Sequence, residues 1–108
     1  MLPSEILKEL QTLTAMTKAG NQALYEAELK LAEAEHELDT TEARAFITSE
    51  GTIADRQALA RLEAADARLR RDIAKAEVNR IRVKIKGLES ALMANATMAK
   101  IMDTESRL

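Results

Sequence analysis

From Ile6 to Ala45, apolar or small residues return at alternating spacings of four and three: Ile6, Leu10, Leu13, Thr17, Gly20, Leu24, Ala27, Leu31, Ala34, Leu38, Thr41 and Ala45. That alternation is the heptad signature of a helix with one buried stripe. Ser4 can cap a helix that opens at Glu5. Gly20 and Asn21 stand back to back as a C′ residue and an N-cap. The pattern therefore predicts a short N-terminal helix over 4–19 and a first arm over 21–48, the alternative being one helix carried through.

Beyond Ser49-Glu50-Gly51, the stretch from Thr52 to Met102 contains no proline and one glycine, Gly87. Thr52 offers an N-cap hydroxyl and Asp55 a capping-box acid three residues on, so a second arm is predicted over 52–102. Read as one helix, it is about 76 Å long, too long for a compact domain of this size. Gly51 is the natural turn residue between the arms. Within the second arm, Ala58, Leu62, Ala65 and Leu69 match the leucine and alanine layers of the first arm and are expected to face Leu31 to Thr41 in an antiparallel hairpin. A second seam, Val78, Ile81, Ile85, Leu88, Leu92, Asn95, Ala99 and Met102, is rotated from the Leu62-Leu69-Ile73 face. Two faces on one helix allow an intramolecular partner on the first and a second chain on the other, so Val78, Ile81, Ile85, Leu88 and Leu92 are the predicted oligomer interface. Asn95 at a seam position could set register, Gly87 lies off the seam, and Asp103 to Leu108 read as a frayed tail. The predicted fold is all-α: a long antiparallel, coiled-coil-like helical hairpin with a shorter N-terminal helical segment, forming a homo-oligomer that covers its remaining apolar surface.

Composition narrows the chemistry. Twenty alanines and two aromatics among 108 residues describe one helical domain with a thin core. The absence of cysteine removes disulfides and thiolate metal sites. Pro3 and the charges Glu5, Lys8 and Glu9 break any early apolar run, so a soluble, cytoplasmic protein without membrane contact is expected. A net charge of −2 argues against coating nucleic acid by bulk charge. The distribution is uneven: residues 26–50 hold eight acids against Lys30 and Arg44, and residues 68–86 hold eight bases against Asp72 and Glu77.

Glu33-x-x-His36 has the spacing used by di-iron helix bundles, but Ala34 and Leu38 occupy the inward positions, which turns Glu33 and His36 to solvent. Three scattered glycines and one histidine assemble no phosphate loop or nucleophile-base pair, and Ser49-Glu50 reads as turn chemistry. No enzymatic activity, cofactor or small-molecule substrate is expected. Arg68, Lys75 and Arg82 recur at seven with Arg71 and Lys86 on the same side. Such a stripe suits phosphates or an acidic partner, or it pairs with the glutamates of residues 26–37. With Tyr25 and Phe46 the only aromatics, any contact with single strands is to backbone and depends on salt.

The turn segment Glu42-Ala43-Arg44-Ala45-Phe46-Ile47-Thr48-Ser49-Glu50-Gly51-Thr52-Ile53-Ala54-Asp55-Arg56, followed by the alanine-rich basic helix, resembles small helical proteins of tailed bacteriophages that accompany replication and recombination genes. The resemblance implies an accessory role in phage DNA metabolism, as a mediator that helps a recombinase or single-strand-binding protein onto single-stranded DNA in the host cytoplasm. It assigns no residue a role. Two other readings compete: an anti-defence inhibitor that fills a host nuclease's nucleic-acid site with the acidic stretch Glu26 to Glu50, and a purely structural coiled-coil adaptor.

Overall fold

The computed structural model describes residues 2–107 and is helical almost throughout. Helix α1 spans Pro3–Thr48, α2 spans Ile53–Glu63 and α3 spans Ala65–Arg107. The chain divides into two compact units, one formed by Tyr25–Asn79 and one by the described residues up to Leu24 with those from Arg80 onward. In both units the N-terminal helix packs closely against the C-terminal half of the chain, as a hairpin requires.

The turn lies in the Tyr25–Asn79 unit and follows the capping chemistry of the sequence. Gly51 has φ +113°, a left-handed conformation that favours glycine, and an added Cβ would stand 3.2 Å from Asp55 Oδ2. The Asp55 N–H donates to the Thr52 hydroxyl at 3.1 Å and the Thr52 N–H donates to the Asp55 carboxylate at 3.4 Å, closing a capping box. The helix accordingly starts at Ile53. Arg56 completes the turn from the other side. Its Nε and Nη2 donate to the Phe46 carbonyl at 3.1 and 2.9 Å, and its guanidinium lies 4.3 Å from the Phe46 ring centroid. One side chain thus satisfies a carbonyl in the last turn of α1 and stacks on the adjacent aromatic.

Three expectations about the helices are corrected. First, α1 is continuous through Gly20-Asn21, where a break is expected. Gly20 instead serves the seam: a Cβ there would lie 3.0 Å from Ile85 Cγ1, so the missing side chain makes room for isoleucine. Local capping signals lose to tertiary packing. Second, the second arm is not one helix from Thr52 to Met102, because it breaks at Ala64 (φ −89°, ψ 3°). The Ala64 N–H bonds back to Ala60 and Leu62, and the Arg68 guanidinium donates to the Arg61 carbonyl at 3.4 Å. The break falls where inward positions run at two successive spacings of four, Arg56, Ala60 and Ala64, before returning to three at Ala67. Third, Asp103 to Arg107 continue α3 rather than fray, with Arg107 paired to Asp103 at 3.2 Å; Leu108 lies outside the described residues.

The largest correction concerns which face of the second arm turns inward. All twelve heptad positions of α1, Ile6 to Ala45, are buried or half-buried, as the pattern predicts. The matching stripe is Ala60, Ala64, Ala67, Arg71, Ala74, Val78, Ile81, Ile85, Leu88, Leu92, Asn95, Ala99 and Met102. Leu38 packs with Ala64 and Ala67 in a buried cluster, Ala64 being fully covered. The expected partners Ala58, Leu62, Ala65 and Leu69 are all exposed, Leu62 at 72%. The reason is continuity. The inward stripe keeps its 4-3 spacing to Met102, whereas the Leu62-Leu69-Ile73 stripe meets Arg80, Gly87 and Ser90 and cannot follow α1 along its length.

The two helical glycines now separate cleanly. Nothing lies within 4 Å of a Cβ built on Gly87. Gly87→Ala should therefore stabilise the fold by about 1 kcal/mol through helix propensity alone. Gly20→Ala gains the same propensity but presses its methyl on the branched Ile85 side chain, and should bring no net gain. Urea midpoints of the two variants against the parent check the difference.

Candidate interaction surface

The predicted basic stripe divides once its partners are seen. In the Tyr25–Asn79 unit, Arg68 pairs with Glu42 while bonding the Arg61 carbonyl, so it staples the Ala64 break to α1. Arg70, outside the predicted stripe, pairs with Glu37 across the two arms. Arg71 sits half-buried in the inward stripe, with its Nε 2.7 Å from the neighbouring Asp72 carboxylate. Lys75 is exposed. In the other unit, Arg82 and Lys86 are exposed. Arg68 and Arg70 therefore bind acids of the first arm, but neither pair is one the pairing alternative names, since Glu42 lies outside residues 26–37 and Arg70 outside the stripe. Exposed pairs of this kind contribute little to stability, about 0–1 kcal/mol each, so their role is register more than strength.

The residues assigned from sequence to an oligomer interface lie elsewhere than that assignment requires. Val78, Ile81 and Ile85 are buried within the single chain, and Leu88 and Leu92 are half-buried on the same stripe. They hold α3 to its own chain. Asn95, also on this stripe, donates its side-chain amide to the Ala91 carbonyl at 3.0 Å, which satisfies it within its own helix.

The exposed surface of the Tyr25–Asn79 unit carries what sequence reasoning assigned inward. Ala58, Leu62, Ala65, Leu69 and Ile73 are all exposed on the outer side of α2 and early α3, with Leu69 at 59% and Ile73 at 61%. Small and large residues alternate along it. Arg61 and Asp72, both exposed, border it on one side and Asp66 on the other.

Glu33 and His36 are exposed, as their positions between inward residues predict. Among the described residues no group of three or more histidine, aspartate or glutamate side chains could hold a metal ion. No described helix is long and apolar enough to cross a membrane. Ser49 donates its hydroxyl to the Ala45 carbonyl, which is turn chemistry at the end of α1. The Arg56 clamp is the feature that sequence reasoning missed; its signal is an arginine in the first turn after a capping box, with an aromatic near the end of the preceding helix. No family model, curated protein or solved structure matches the chain.

Proposed function

We propose that this protein is an oligomeric helical adaptor that works by binding other proteins. The observation that carries the reading is the outer Ala58 to Ile73 face, which stays apolar and exposed although the seam between the arms is already filled along α1. A chain that needed only to fold would gain solubility from polar residues there. Following the resemblance of its turn segment to small tailed-phage proteins, we place the adaptor in phage DNA recombination or replication, with a recombinase or single-strand-binding protein as its partner class.

Contact with DNA is the lesser part of this proposal, because Arg68, Arg71 and Arg82 are engaged within the chain and Lys75 and Lys86 are the exposed bases it rests on. Replacing Lys75 and Lys86 by glutamine should weaken single-strand binding equally across sequences. The slope of log affinity against log salt should flatten by up to about 1.4 units, since each phosphate contact on a single strand contributes roughly 0.7. Helicity should not change, as these positions are exposed. Fluorescence anisotropy on oligonucleotides of differing sequence reads this. Absence of binding by the parent at low salt removes the DNA contact, and a fully helical monomer by light scattering at about 100 µM removes the oligomeric adaptor.

A further inference from the structure

We infer that the Ala58-Leu62-Ala65-Leu69-Ile73 face is covered by the same face of a second copy, packed antiparallel about a two-fold axis between Asp66 and Ala67. The inference rests on the oligomeric reading above and names its interface.

Three features of the face select a second copy. The first is size alternation: exposed alanines at 58 and 65 alternate with exposed leucines at 62 and 69. Small residues let two helices approach closely, which brings the leucines of one copy into reach of the other. The second is self-complementary spacing. Turning the face onto itself about that axis sets Leu62 of one copy between Leu69 and Ile73 of the other, a knob entering a hole, and symmetry repeats the contact.

The third is charge. In the same register Arg61 of each copy lies beside Asp72 of the other, on the rim where both side chains are exposed. Asp72 is also held by Arg71 of its own chain, so the second arginine extends an existing pair. Charge therefore favours the antiparallel pairing. One term opposes it: the two Asp66 carboxylates share a rim near the axis. The contact is also short, 16 residues interrupted by the Ala64 break between α2 and α3, which places the dimer in the weak, reversible class.

Sedimentation velocity at about 100 µM, where weak dimers are populated by mass action, tests the interface. The parent should be dimeric. Leu69→Asp should be monomeric with unchanged far-UV circular dichroism. Arg61→Asp should weaken the dimer by about tenfold, the double variant Arg61→Asp with Asp72→Arg should restore it, and Asp66→Asn should tighten it. The charge variants lie on the rim and keep the test valid if Leu69→Asp fails to fold. An oligomer indifferent to Leu69→Asp and to the charge exchange overturns this interface and leaves the adaptor reading standing. A monomeric parent overturns both.

Discussion

Val78→Asp should abolish the folded hairpin, whereas the identical change five residues later, Val83→Asp, should leave it intact. Val78 is 1% exposed and Val83 is 72% exposed. An aspartate at 78 must bury a carboxylate among aliphatic neighbours, and the described residues contain no buried polar or charged side chain that could receive it. Burial of an unpaired charge costs several kcal/mol, a large share of the roughly 5–15 kcal/mol that holds a domain of this size together. At position 83 the carboxylate stays in water, and valine and aspartate have similar helix propensities, so the change should fall within about 0.5 kcal/mol. Thermal melts followed by far-UV circular dichroism give the comparison directly: loss of the cooperative transition in the first variant and an unchanged midpoint in the second. Equal effects of the two substitutions would mean that the inward stripe has been misassigned.

Leu38→Ala should destabilise the chain by about 2–5 kcal/mol, at the upper end of that range. Leu38 is the one large side chain in a buried cluster whose other members are Ala64 and Ala67. Alanines have no rotamers with which to reach into the space that the leucine vacates, so the cavity stays open unless the backbones of α1 and α2–α3 move together. The nearby Ala64 break, held by Arg68 to both the Arg61 carbonyl and Glu42, resists that movement. Leu38→Met fills most of the volume and should cost less than about 1.5 kcal/mol. Urea unfolding of both variants measures the difference, and a loss under about 1 kcal/mol for the alanine variant would show that the helices collapse freely onto the gap.

The turn was legible in the sequence because its chemistry is local. Gly51, Thr52 and Asp55 satisfy helix ends within a few residues, and no distant contact competes with them. The register of α1 was legible for a related reason: its leucines, alanines and threonines keep one uninterrupted 4-3 spacing, and only one face can be buried. The second arm offers two stripes, and there hydrophobicity pointed the wrong way. Leucines at 62 and 69 outrank alanines at 60, 64 and 67 in any transfer scale, yet a close helix pair needs small residues opposite the leucines of α1. Gly20 was misread for the same cause, since its use is the volume it leaves for Ile85 and not the turn it would permit.

The candidate site divides along the same line. The seven-residue recurrence of Arg68, Lys75 and Arg82 was visible, but which bases are engaged depends on the register between the arms. That register brings Glu42 to Arg68 and Glu37 to Arg70 while leaving Lys75 outside. The outer Ala58 to Ile73 face is expected against α1 and is exposed instead, because the inward stripe runs through Val78, Ile81 and Ile85.

Thiol labelling tests that assignment most directly, because the chain has no cysteine and single cysteines can be placed at will. Val78→Cys and Val83→Cys are near in size to the parent residue, and both sites lie outside the proposed interface between copies. Val83→Cys should react with a maleimide as fast as an unstructured peptide. Val78→Cys should react only when the helices open, slower by about a thousandfold or more. Equal rates, or a protected cysteine at 83 beside a reactive one at 78, would contradict the assignment of the inward stripe and with it the outer face on which the proposed function depends.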